Sequence, residues 1–151
     1  MFAGHYGVSF AAKAADAKLP LWILFLAVQF LDVLWGIFVL VGLEKVRIVP
    51  GITATNPLDL HFMPYTHSLL AALVWSLAVG AVYARWRDDA SGGLLIGLAV
   101  LSHWILDLLV HRPDLPLIGN RFKVGLGLWN HGVIAFVLEA TLPAGWLDRA
   151  A

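Results

Sequence analysis

The sequence contains no cysteine. That excludes disulfides, thiolate metal sites and cysteine nucleophiles, and it leaves the redox compartment unread. Charge is scarce too: only 13% of the 151 residues are Asp, Glu, Lys or Arg, with ten basic side chains set against ten acidic ones. A soluble domain carries about a quarter. With a formal net charge of +0, nothing points to nucleic acid as a partner or to steering by an acidic one. Repeats and low-complexity tracts are absent. The opening "MFAGHYGVSFAAKAADAKLP" lacks a basic region ahead of an apolar core, so it does not read as a cleavable signal peptide.

What the chain has in excess is apolar side chains, at 60%, for which a lipid bilayer is the natural solvent and the expected partner. A spanning helix needs about 20 mostly apolar residues. Four runs qualify, over about 21–43, 67–83, 93–110 and 124–142. Pro20 suits the start of the first, "ARWRDD" ends the second, and "HRPD" stops the third because Pro113 disfavours continuation. The expected fold is a single all-α transmembrane domain over 1–151, with four spans and a helix over 1–17 that is re-entrant or interfacial. Trp22, Trp86, Trp129 and Trp146 lie near the proposed helix ends, where an aromatic belt would sit. Orientation is not readable. In a four-span arrangement five Lys and Arg residues fall on each face, so the positive-inside bias cancels.

Ionisable groups inside spans are rare and usually face a cavity or a partner. The run "LSHWILDLLVHRPD" places His103, Asp107 and His111 at intervals of four, about 40° apart around a helix. Such spacing lets two of them grip one ion, and imidazole and carboxylate are ligands for Zn, with Mn or Fe as alternatives. Asp32 and His103 sit near mid-depth of their spans. Chain alternation brings His67, Asp107, His111 and His131 toward one face, together with the 44–66 loop bearing His61. A simpler account pairs His103 with Asp107 by a hydrogen bond between helices, without metal. His61 and His111 also fit as polar residues at the interface, and Glu139 as a bonded carboxylate. Thr66 or Ser68 suits the N-cap of the second span. Ser68 has no G-x-S-x-G context that would make it a nucleophile.

"GHY" near the start, an intramembrane Asp in "QFLDVLW", "THS" opening the second span and "SHWILD" in the third together resemble the YdjM-like family of bacterial inner-membrane proteins described as metal-dependent hydrolases. That family is in turn distantly similar to zinc-dependent phospholipase C and the P1-type nucleases. The resemblance spans about residues 4–111. It implies a multi-pass protein of the bacterial inner membrane with His5, Asp32, His67, His103 and Asp107 as metal ligands. The chain departs from the family where "HFMPYTHS" lacks an Arg.

Three functions are compatible with these residues. A membrane-embedded hydrolase would use the His/Asp site to activate water on a lipid or lipid-linked ester or phosphoester, with His131 or Asp59 as general base or acid. A non-enzymatic metal-binding or transport protein, or a small subunit of a membrane complex, would use the same ligands. A structural bundle would bury hydrogen-bonded pairs alone. His5 sets a topological condition: it precedes the first span, so it reaches the cluster only if its helix turns near Lys18-Leu19-Pro20 and folds back into the bundle.

Overall fold

The computed structural model describes the backbone of residues 3–150 and the side chains of residues 3–141. It is mostly helical. In chain order come α1 (His5–Ala15), α2 (Leu21–Val28), α3 (Phe30–Leu40), a two-stranded antiparallel hairpin β1 (Lys45–Ile48) and β2 (Leu58–Phe62), α4 (Leu69–Arg87), α5 (Ala90–Val110) and α6 (Gly132–Ala150). The hairpin pairs Arg47 with Asp59 and Ile48 with Leu58. It is a short addition to the helical fold that was expected.

The chain does fold back after α1. Lys18 N–H donates to Asp16 Oδ1 at 2.9 Å, and Lys13 Nζ donates to the carbonyls of Ala17 and Leu19 at 2.5 and 3.0 Å. Leu19 is fully buried, which anchors the turn before Pro20 opens α2 with its fixed φ. α1 then packs against α2, α5 and α6.

α2 and α3 together match the first apolar run, but they meet at Gln29 with a 51° bend. Kinks arise where a side chain inserts into the helical ladder. Here the intruder is His103, whose Nδ1 lies 2.7 Å from the carbonyl of Val28. The ladder restarts with Val33 N–H on Gln29 O at 3.0 Å. Asp32 thereby falls in the first turn of α3, where the helix dipole favours a carboxylate.

α4 and α5 form the longest contact in the molecule. Ser68 caps α4 by accepting from Ala71 N–H at 3.1 Å, and Asp89 caps α5 by accepting from Gly92 N–H at 2.9 Å. Asp88, in the left-handed region, makes the turn between them. The two helices approach closely because Gly80, Gly93 and Gly97 face one another: a Cβ on Gly93 would come within 2.6 Å of Gly80 O and 2.5 Å of Ala84 Cβ.

α4 and α5 are long and apolar enough to cross a membrane, and the bent α2–α3 pair is a third candidate. The fourth expected span is not confirmed, and its first part is not helical. Residues 124–131 are irregular apart from a 3-10 turn over Leu128–Asn130, and within the described residues Gly132–Thr141 of α6 is an apolar helix shorter than a span. The segment after α5 is used instead to cap it. Leu126 N–H donates to Leu108 O at 2.9 Å and Gly127 N–H to His111 O at 2.7 Å, which satisfies carbonyls that a helix end leaves open. Gly125, at φ 157°, allows this approach: a Cβ there would come within 2.2 Å of Arg112 O.

Two measurements check this architecture. Single cysteines at the exposed Ala54 and at Gly119, in a chain with no native Cys, are expected to label from one side of the membrane, and one at Asp88 from the other. Gly93→Val is expected to force α4 and α5 apart at about 1–3 kcal/mol, as overpacking does. Gly36→Ala is expected to be neutral or stabilising by up to about 1 kcal/mol, because the added Cβ meets nothing within 4 Å and alanine favours the helix. Thermal unfolding in detergent reads both.

Candidate metal centre

Four imidazoles and two carboxylates meet where α1, α3 and α5 converge beside the start of α4. His103 Nε2 lies 3.2 Å from Asp107 Oδ2 and 3.4 Å from Asp32 Oδ1. His67 Nε2 lies 3.4 Å from Asp32 Oδ1 and 3.8 Å from Asp107 Oδ2. His5 Nε2 is 3.3 Å from Asp107 Oδ1, and the His5 ring stacks on His103 with centroids 3.9 Å apart. His111 Nε2 stands 3.6 Å from Asp107 Oδ2. All five residues that resemble family ligands are therefore in one cluster, and His111 joins them. All are buried except the side chain of Asp32, which is 38% exposed.

The protonation of three rings follows from their outer partners. A backbone carbonyl only accepts, so His103 Nδ1 donates to Val28 O. His111 Nδ1 donates to the Asp114 carboxylate at 2.8 Å. His67 Nδ1 lies 2.8 Å from Thr66 Oγ1, whose own proton goes to Glu44 Oε2 at 2.6 Å; His67 Nδ1 is the donor there as well. Each neutral ring then presents an Nε2 lone pair inward. Those lone pairs face carboxylate oxygens, which also carry lone pairs. Acceptor against acceptor at 3.2–3.8 Å is unfavourable unless a proton or cation lies between them. A metal with bonds of about 2.0–2.2 Å sets neighbouring ligand atoms about 3.3 Å apart, close to these separations. His5 adds a second sign: it is fully buried and neither ring nitrogen has a hydrogen-bond partner, and His103 Nε2 is likewise without one. Orphaned buried nitrogens are costly. Two triads, His5–His103–Asp107 and Asp32–His67–His103, have ligand atoms close enough together to share an ion. The donor set fits a divalent metal.

The outer partners escape sequence reading. Glu44, at the end of the first apolar run, is buried and accepts from Tyr65 N–H at 2.8 Å, Thr66 N–H at 3.0 Å and the Thr66 hydroxyl. Thr66 is thus a bridge and not the cap, which is Ser68. Asp114 is held by Arg112 Nε at 3.0 Å, and Arg112 also pairs with Asp59. The "HRPD" spacing of three between His111 and Asp114 was the one available signal.

His131 and Asp59, the expected acid–base candidates, lie apart from the cluster. His131 is exposed at the head of α6, and Asp59 is engaged by Arg112. Neither lines the cavity described next. His61 stays outside the cluster too; its carbonyl accepts from Lys123 Nζ at 2.8 Å and Asn120 Nδ2 at 3.1 Å. Partial burial of Lys123 holds its ammonium below the usual lysine range.

Asp32, His67, Asp107 and His111 form one wall of a cavity of about 650 Å³. Facing stripes of α3 (Trp35, Gly36) and α6 (Ala135, Phe136, Glu139) make its sides. The cluster is therefore open to a chamber and not sealed. Glu139 is the carboxylate that this chamber contains besides the cluster's own; it accepts from Ala3 N–H at 3.2 Å.

No family model, curated protein or solved structure matches the chain.

Outer-partner substitutions separate ligand from scaffold. Thr66→Val and Asp114→Asn are each expected to weaken divalent-metal affinity by about 10–100-fold, the usual effect of removing a group that orients a ligating imidazole. Competition with a chromogenic chelator on purified protein measures it. Unchanged affinity in both would mean that His67 and His111 do not ligate.

Proposed function

We propose that this protein is a membrane-embedded, metal-dependent hydrolase of the bacterial inner membrane, acting on an ester or phosphoester of a lipid or lipid-linked molecule, in keeping with its resemblance to the YdjM-like family. One observation carries the reading: three imidazoles locked as Nδ1 donors turn their Nε2 lone pairs onto Asp32 and Asp107 at the wall of an open chamber. Asp32, His67, His103 and Asp107 would hold the ion, with His5 and His111 completing the set. Zinc suits imidazole and carboxylate donors, with Mn or Fe as alternatives. Bound there, such an ion would act as a Lewis acid and let water attack near neutral pH.

The chain's own groups supply the rest. His67 and His111 are held rigidly by Glu44–Thr66 and by Asp114, so little reorganisation is needed to keep the donors in place. Glu139, in the chamber wall, is placed to accept a proton from water and return it to the leaving oxygen. The chamber walls beside the cluster are mostly apolar.

A carrier or metal-binding protein is the second reading, and one observation favours it. Asp32 also borders a separate, shallower groove with Gln29, Tyr6 and Trp22, on the side of the cluster away from the hairpin.

Metal analysis and turnover decide between them. The purified protein is expected to carry stoichiometric divalent metal and to hydrolyse a lipid ester or phosphoester from a bacterial lipid extract in a chelator-sensitive way. Asp107→Ala should lose most of the metal and all turnover. Glu139→Gln should keep the metal and lose at least about 100-fold in rate, the lower range for general acid–base catalysis. Metal uptake into proteoliposomes without hydrolysis would favour the carrier; metal-free protein of normal stability would sink both.

A further inference from the structure

Resting on the hydrolase reading, we infer that the chamber takes the acyl chain of a bilayer lipid, admitted sideways between α3 and α6, with the lipid's ester or phosphoester end against the metal cluster.

The roof of the chamber is tied shut. Thr55, in the loop between β1 and β2, donates both its N–H and its hydroxyl to Trp129 O, at 3.1 and 3.0 Å. This pins the hairpin loop over the start of α6, where Gly132 sits tightly under Thr55: a Cβ on the glycine would be 3.2 Å from Thr55 Cγ2. The sides differ. α3 and α6 face each other across the chamber without packing together. Their outer flanks are apolar and exposed, with Ile37 at 50% on α3 and Val133 at 79% on α6. In an aqueous enzyme such flanks would be a liability; beside a bilayer they continue the hydrocarbon into the opening.

The contents of the chamber match an amphiphile. Its polar end is the cluster, which runs inward from His111 at the C-terminus of α5 to His103 and Asp32. Its remainder is lined by groups such as Trp35, Leu58, Met63 and Phe136. The volume of about 650 Å³ lies within the range of about 300–1,000 Å³ that holds a whole small ligand, more than an isolated hydrated headgroup requires. Gly36 leaves open space in the α3 wall, where any other residue would project a side chain. A water-soluble ester of the same head chemistry has no use for this lining.

The test uses the full chain, loaded with zinc, in nanodiscs of phosphatidylethanolamine and phosphatidylglycerol containing a small fraction of phosphatidylethanolamine with a photoreactive diazirine in its acyl chain. Irradiation and peptide mapping are expected to place cross-links on the α3 and α6 walls, at Trp35, Ala135 or Phe136. Gly36→Phe should abolish those cross-links and leave zinc content and thermal stability unchanged, because its ring enters open space. Labelling around lipid-facing Leu77 on α4, 74% exposed, should be the same in both proteins. Gly36→Leu serves if the phenylalanine variant does not fold. Wall labelling no greater than at Leu77, or labelling that both Gly36 variants leave intact, overturns the inference. The outcomes separate it from the reading beneath: chelator-sensitive hydrolysis of a water-soluble ester without wall cross-links would keep the hydrolase and remove the lipid, whereas wall cross-links in a protein that binds no zinc would keep the lipid and remove the hydrolase.

Discussion

Two carboxylates and four imidazoles buried in an apolar bundle must be neutralised together, or the bundle does not form. Asp107 is the pivot. One of its oxygens faces His5 and the other faces His67, His103 and His111. Removing its charge would take a carboxylate ligand from any cation shared with these imidazoles, and removing the imidazoles would leave a carboxylate in a medium that punishes it severely. Much of the fold can be read as the route by which each partner is delivered to that point. α1 turns back at Asp16–Pro20 to deliver His5. The first apolar run breaks at Gln29, which frees the Val28 carbonyl for His103 and starts a new helix whose first turn holds Asp32.

Rigidity is unevenly shared around this point. His103, Asp107 and His111 ride on or end α5, which is locked to α4 by close glycine contact, and His67 sits just before the α4 cap. These donors stand on one stiff platform. α3, by contrast, packs only lightly against α2 and α5, and Asp32 is the one donor with substantial exposure. A centre with a firm half and a loosely held carboxylate can bind an ion tightly and still change its coordination as a substrate arrives. The loose helix is also the one that borders the chamber's open side.

The stripe His103–Asp107–His111 was legible from spacing alone, because a helical period of 3.6 dictates which side chains share a face. The spans of α4 and α5 were legible because hydropathy over about 20 residues is a strong signal. The kink at Gln29 was not. Neither Pro nor Gly marks it; its cause is a histidine distant in sequence. Residues 124–131 are apolar but not helical, because Gly125 and Gly127 bring the backbone close enough to cap α5, and periodicity alone does not tell such a loop from a helix start; the helix begins only at Gly132. Glu44 looked like the first charge after a span. Only the return of the chain through Tyr65 and Thr66 shows that it faces inward. His131 and Asp59 had the right chemistry for acid–base work but no local signal for direction, and Arg112 had already claimed Asp59.

The small segments outside the spans are best understood through proton placement. An imidazole ligates only through a nitrogen that carries no proton, and in a greasy interior nothing but a hydrogen-bond acceptor on the opposite nitrogen fixes which one that is. Val28, Thr66 with Glu44, and Asp114 each provide that acceptor for one ring. Two of the three come from the connections at the hairpin face, not from a spanning helix. Arg112 extends the Asp114 arm to Asp59 on β2, so the hairpin is tied electrostatically to His111 across the sequence. A bundle of spans alone could gather the same side chains at the same depth and leave their tautomers undetermined. The irregular segments are what convert a cluster of ionisable residues into an ordered set of donors.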